Sequence, residues 1–395
     1  GRQIKFDRAK QDLVIQNHSF SLTTGARLVI IAIGKCANDA SFALEKVLGD
    51  RITDGLAVDI RCDSRLRRIE SCQSDHPYPS ERNIDNTKKI IEKLRALKED
   101  DLVVVVVSGG GSTFLCQPNN FTCHEEADLL KCLFRGGATI EEINTVRKHL
   151  SLARGGYLAE YAYPARVVGL IFSDVPGNDF STIASGPTVF DLTTKLEAET
   201  VMKKYETQKS CQFDPSQLIE TPKEAKYFER VENFLLVSNQ TALEAMAARG
   251  QAAGLKATIV TNCLNSEASQ FGIELAKEIN RVEANTLLLY GGETTVKIKG
   301  AGRGGRNQEL VLAALPFIDE FSLIVSIASD GVDNSDHAGA FCDMVTKRKA
   351  ESLKLDINKY LANNDSYTFF DQTKDFLFTG PTGSNVSDLV LAIKK

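Results

Sequence analysis

Apolar residues in this chain gather into short unbroken runs, each closed by glycine and small polar residues. Leu28–Ile33 is six apolar residues in a row, Leu102–Val107 is another six of which five are Val, and residues 167–172 form a third run broken only by Gly169. Runs of strand length without alternation predict strands covered on both faces, the pattern of a parallel sheet. Between them the spacing changes. Ile84, Ile90, Ile91, Leu94 and Leu97 fall on one face of a helix over 83–97, and residues 37–48 are also helix-compatible. Strands and helices alternating at these lengths predict a doubly wound α/β domain with helices on both faces of its sheet.

A broken stretch bearing Thr and Pro, residues 190–222, interrupts the series. A second one follows, with strands at 234–237, 257–260, 287–290, 323–328 and 376–378 and helices at 241–253 and 308–315. The pattern places a boundary near residue 233, giving domains 1–233 and 234–395. At 395 residues, 43% of them hydrophobic, the chain is long for one core of ordinary size, which also favours two domains. No internal repeat or low-complexity tract is evident.

Charge and cysteine content narrow the function classes. A formal net charge of -5 argues against a large nucleic-acid footprint. No apolar run reaches the length of a membrane span, and the start Gly1-Arg2-Gln3 carries no apolar signal core, so a cytoplasmic protein is expected. Nine Cys form no Cys-x-x-Cys pair, and five scattered His give no zinc spacing. The odd thiol count fits a reducing compartment better than a disulfide framework.

The clusters that close the apolar runs are where an open α/β sheet meets a ligand. Ser108-Gly109-Gly110-Gly111-Ser112 removes the side chains that would keep an anion from the backbone and adds two hydroxyls, which predicts phosphate or carboxylate binding. Ser112 is a weak acyl-transfer candidate, because Gly-x-Ser-x-Gly is absent. Lys35, after Gly34 at a strand end, could neutralise a transferring phosphoryl group, although no P-loop string is present. Gly300-Ala301-Gly302-Arg303-Gly304-Gly305 satisfies Gly-x-Gly-x-x-Gly, so a nicotinamide site has to be weighed. Residues 294–299 alternate instead of forming a buried strand, and Arg303 and Arg306 suit a polyanion better. Asp174, Glu293, Asp330 and Asp333 are the carboxylates at strand ends that could hold a divalent cation, Asp174 foremost. Thr382, in Thr379-Gly380-Pro381-Thr382-Gly383-Ser384-Asn385, could close over phosphate. His76 and Asp191 read as structural, Asp191 as a loop or cap residue.

Taken in order, Gly34-Lys35, Asp75-His76-Pro77, Ser108 to Ser112, Ser173-Asp174-Val175-Pro176-Gly177, Gly291-Gly292-Glu293, Gly302-Arg303-Gly304-Gly305-Arg306-Asn307-Gln308-Glu309, Asp330-Gly331-Val332-Asp333 and Gly380-Pro381-Thr382-Gly383 resemble the glycerate 2-kinase family, whose C-terminal part is the MOFRL domain. The resemblance spans nearly the whole chain. It implies a larger N-terminal Rossmann-like three-layer domain with a mostly parallel sheet, a smaller C-terminal α/β domain and an active site in the cleft between them. It further implies phosphorylation of D-glycerate at its 2-hydroxyl by ATP with Mg²⁺. Lys35 then matches the family's active-site lysine, and Arg303 or Arg306 its active-site arginine. Ser108, Gly109, Gly110, Gly111, Ser112, Gly292, Glu293, Asn307 and Thr382 are expected at substrate or phosphate, and Asp174 and Asp330 at the metal. The alternatives are an NAD(P)H-dependent hydroxypyruvate reductase and a non-catalytic nucleotide or sugar-acid binder. A small-molecule substrate is expected, with no nucleic acid or membrane partner, and self-association is left open.

Overall fold

The computed structural model describes residues 3–207, 211 and 213–395; Gly1 and Arg2 of the chain's start and residues 208–210 and 212 of the broken stretch lie outside the described residues. The chain divides into two compact units. One comprises Gly1–Phe172 with Asp179–Leu236, the other Ser173–Asn178 with Val237–Lys395.

The first unit opens with a small antiparallel sheet of β1 (Ile4–Asp7), β2 (Asp12–Ile15) and β3 (His18–Ser21). Its main sheet holds β4 (Leu28–Ile33), β5 (Asp54–Asp59), β6 (Glu70–Gln73), β7 (Leu102–Val107), β8 (Arg166–Phe172) and β9 (Val231–Val237) in the order β6-β5-β4-β7-β8-β9. Strands β4 to β8 run parallel. Every residue of β4 and β7 is buried, as their unbroken apolar runs require. The winding goes from β4 outward through β5 and β6, then restarts at β7 on the other side. The reversal therefore lies between the C-terminal ends of β4 and β7, the place where open α/β sheets bind ligands.

Residues 234–237, expected to open the second series, belong instead to β9, the edge strand of the first sheet. The reason is visible in its neighbour. A Cβ at Gly169 of β8 would lie 1.9 Å from Asn233 Oδ1, so the glycine that interrupts the third apolar run makes room for β9.

In the second unit, β10 (Lys256–Leu264), β11 (Thr286–Gly292), β12 (Ser322–Ala328), β13 (Gly339–Cys342), β14 (Phe376–Leu377) and β15 (Asp388–Lys394) form one sheet in the order β10-β11-β15-β12-β13-β14. Only β10 and β11 are parallel. The last strand, β15, inserts between β11 and β12 antiparallel to both. The helix Arg306–Ala314 is buried along almost its whole length, packed in a core with Phe271, Leu275, Phe369 and Phe370.

Two expectations need correction. Cys132 and Cys211 are joined in a disulfide within the first unit and the other seven cysteines form none, so the thiols are not all unpaired. Asp191 is more than a loop residue: it is 1% exposed and accepts from Lys148 Nζ at 3.1 Å, Thr193 N at 3.1 Å and Thr221 Oγ1 at 3.1 Å. Among the described residues no helix is long and apolar enough to cross a membrane.

Candidate functional site

In the first unit the loops after β4 and β7 are locked to each other. Gly34 adopts φ +116°, and a Cβ there would lie 2.3 Å from Ser108 Oγ and 2.6 Å from Ser108 O. Only glycine permits so close an approach at that backbone angle. Lys35 N donates to Gly109 O at 3.0 Å, Cys36 N to Ser108 Oγ at 3.3 Å, and Ser108 Oγ to Ile33 O at 3.2 Å. The sequence-predicted Lys35 and Ser108–Gly110 are thereby brought together at the reversal of strand order. Gly110, at φ +82°, opens the short helix Gly111–Phe114, and Ser112 Oγ lies 3.1 Å from Ser185 Oγ. The His76 ring faces Gly110, where a Cβ would stand 3.1 Å from its Cδ2, and it stacks on Phe114 at 5.8 Å. Desolvation, and then the Lys35 charge, push the imidazole down to about 4, so it stands neutral at pH 7 beside the lysine.

In the second unit Arg306 is the hub. Its Nε and Nη2 clasp the Asp388 carboxylate, and Nη2 also reaches Glu293 Oε1 at 3.0 Å. Burial raises the Glu293 carboxyl above its ordinary value; Arg306 opposes this, while the negative charges of Asp388, Asp174 and Asp330 add to it. Asp174 is held by Asn385 Nδ2 at 3.1 Å, and its carbonyl accepts from Ser387 Oγ. Thr382 N donates to Asp330 O at 3.1 Å, and Thr382 Oγ1 to Ser329 O at 2.6 Å. The segment 382–388 therefore ties together the turns that carry the two predicted metal ligands.

Other predicted residues lie elsewhere or are already engaged. Arg303 pairs with Asp336 at 3.0 Å and stacks over the Tyr367 ring at 3.8 Å, a set of partners distinct from that of Arg306. Asn307 spends its N–H and its side-chain amide on Asp333 Oδ1, each at 3.1 Å. Gly292, at φ +137°, serves close packing, since a Cβ would meet Leu264 O at 2.3 Å. The Gly-x-Gly-x-x-Gly string packs likewise: Gly300 and Gly302 against Asn363, Gly304 against Ser366, and Gly305 against Asp333.

The helices Ala37–Leu48 and Arg306–Ala314 each carry a carboxylate at their first turn: Asp59, which sequence reading did not assign, and Asp333, which it assigned to a cation. Asp59 accepts from Asn38 N at 3.0 Å, and Asp333 from Asn307 N at 3.1 Å and Gln308 N at 2.9 Å. These helix ends are satisfied from within the protein. The donors left to an anion are those of the loops and side chains.

Residues 2–220 match the family described as a domain of unknown function, DUF4147, and residues 286–388 match the MOFRL family. The chain is 36% identical over 380 residues to a protein of Thermotoga maritima named D-glycerate 2-kinase, covering 93% of this chain and 90% of that one. It is 37% identical to a protein of Agrobacterium vitis provisionally named a hydroxypyruvate reductase, covering 92% and 86%. It superposes with TM-score 0.85 and 35% identity on the crystal structure of a glycerate kinase from Thermotoga maritima, over 94% of this chain and 92% of that one.

Proposed function

This chain belongs to the glycerate 2-kinase family, in which a DUF4147 domain leads into a MOFRL region, and we propose that it transfers the γ-phosphoryl group of ATP to the 2-hydroxyl of D-glycerate, giving 2-phosphoglycerate and ADP. The observation that carries the reading is the locked pair of loops at the strand-order reversal, which sets Lys35 beside a run of three glycines flanked by serines. Phosphoryl transfer asks for fixed positive charge and backbone donors more than for covalent chemistry, and that pair of loops supplies both.

The residues take the following parts. Lys35 stabilises negative charge on the transferred group. The Ser108–Ser112 segment binds an oxyanion of substrate. Arg306, already neutralised by Asp388 and Glu293, holds those carboxylates in place, which makes it the arginine of the pair with the closer tie to the chemistry; Arg303 stands apart from that cluster.

Asp174 and Asp330 offer hard carboxylate oxygens on turns that the segment 382–388 ties together, so the donor set fits Mg²⁺. Among the described residues no three His, Cys, Asp or Glu converge into a metal cage. One or two carboxylates completed by water and substrate phosphates is the usual way Mg²⁺ is held, and the bound ion would neutralise charge across the phosphate oxygens. A cytoplasmic setting, where ATP is plentiful, belongs to the same proposal. The reductase alternative is disfavoured because its glycine fingerprint is packed against the protein's own Asn363, Ser366 and Asp333 and no strand immediately precedes it.

The test is an ADP-release assay with D-glycerate and Mg-ATP, run beside NADH and NADPH oxidation with hydroxypyruvate. Wild-type protein is expected to release ADP only when D-glycerate is present and to oxidise neither nicotinamide. Lys35→Ala, with an unchanged melting temperature, is expected to lose at least tenfold in kcat. Undiminished turnover in that variant removes Lys35 from the mechanism.

A further inference from the structure

Beside the glycine loop the first unit contains a small cavity of about 100 Å³, lined among others by Tyr78, Ser112, Thr113, Glu126, Arg147 and Arg154. It is far below the roughly 300–1,000 Å³ of larger ligand pockets, so a nucleotide does not fit and a small anion or the end of a small acid does. Lys131 also lines it, its charge paired with Asp128 at 3.1 Å, so Arg147 and Arg154 face the one lining carboxylate, Glu126.

That carboxylate is already committed. Glu126 Oε1 lies 2.5 Å from Arg154 Nη1, and both side chains are almost wholly buried. Arg154, 1% exposed, still has its Nε buried without a hydrogen-bond partner. Arg147 shares the cavity with no ion pair to any carboxylate among the described residues. Burial and the adjacent Arg154 press its guanidinium down to about 10, with Glu126 only partly offsetting them. A buried donor without an acceptor, beside two guanidiniums that share one lining carboxylate, calls for an anion. The wall nearest the candidate site is formed by Ser112 and Thr113, the residues that continue the glycine loop.

We propose that the Arg147–Arg154 cavity is an oxyanion pocket that takes the carboxylate of the acceptor acid and so selects acids over neutral polyols. The proposal rests on the kinase reading for the identity of that acid. The carboxylate would supply the acceptor that Arg154 Nε lacks and the counter-charge that Arg147 lacks, with the Ser112 and Thr113 hydroxyls as further donors. The planar fork of a guanidinium matches a carboxylate well, which makes Arg147 a specificity-determining residue.

The experiment measures D-glycerate binding calorimetrically in the absence of nucleotide, and steady-state kinetics, for wild type, Arg147→Gln and Arg147→Lys. Arg147→Gln is expected to weaken D-glycerate binding and raise its KM at least tenfold, with the KM for ATP within twofold and the melting temperature unchanged. Arg147→Lys is expected to recover part of the loss, and glycerol to bind none of the three proteins. Unchanged D-glycerate binding in a folded Arg147→Gln overturns the proposal. So does inorganic phosphate binding that depends on Arg147 while D-glycerate binding does not, because the pocket would then hold a phosphate. Arg147-dependent binding of D-glycerate without any turnover supports the pocket and overturns the kinase reading alone.

Discussion

Single residues in this protein show how far a charge in the sequence can stand from its apparent use. Asp333 reads as a metal-ligand candidate, yet its two oxygens are spent on the first turn of the helix Arg306–Ala314. Asp191 reads as a loop or cap residue, and it also forms with Lys148 an ion pair whose side chains are 1% and 7% exposed. Sequence alone gives no partner for such a residue, because the two lie 43 positions apart and the contact exists only once the segment after β8 folds back. Burial works to raise the Asp191 carboxyl, but Lys148 and the Thr193 donors outweigh it and hold it below the ordinary value of 3.8. The carboxylate therefore contributes stability that is fully present above 3.8 and is lost as the pH falls through the lowered value. Asp191→Asn removes the charge and leaves Lys148 buried without a counter-ion. It should lower stability by about 3 kcal/mol at pH 7, measured by urea unfolding, and flatten the acid limb of the stability curve. A loss below about 0.5 kcal/mol would mean the pair is not buried in solution.

Among elements, legibility followed burial. β4 and β7 could be read directly because every one of their residues is covered, and the helix over 83–97 is found at Glu81–Arg95, opened by the capping pair Ser80 and Asn83. The four-residue strands β1 to β3 escaped because so short an alternation resembles a loop. β15 escaped for another reason. It lies between β11 and β12, a pairing of distant segments that no local pattern announces. Of the candidate site, the loops themselves were legible and their internal bonding was not; Arg147 and Arg154 lie in a stretch with no glycine signature before Gly155. The lock between the β4 and β7 loops is the element on which the site depends. Gly34→Ala would drive a methyl into Ser108 at a backbone angle hostile to alanine. The variant should lose about 3 kcal/mol of stability and at least tenfold in activity, checked by thermal unfolding and ADP release. A variant of wild-type stability and turnover would show that the two loops are free to separate.

Besides the small sheet of β1 to β3, the molecule has two six-stranded sheets of different construction. One is a parallel sheet whose strand ends deliver Lys35 and the glycine loop. The other is a mixed sheet whose loops and strand ends carry Arg306, Glu293, Asp388 and Asp330, with Asp174 of the segment Ser173–Asn178 held by Asn385. The central claim is a reaction with defined regiochemistry, and phosphorus and carbon NMR of the product made from D-glycerate, ATP and Mg²⁺ tests it most directly. The account predicts a phosphorus resonance coupled to C2 of glycerate. Coupling to C3, or no phosphorylated product while hydroxypyruvate is reduced in a parallel sample with NADH or NADPH, would contradict it.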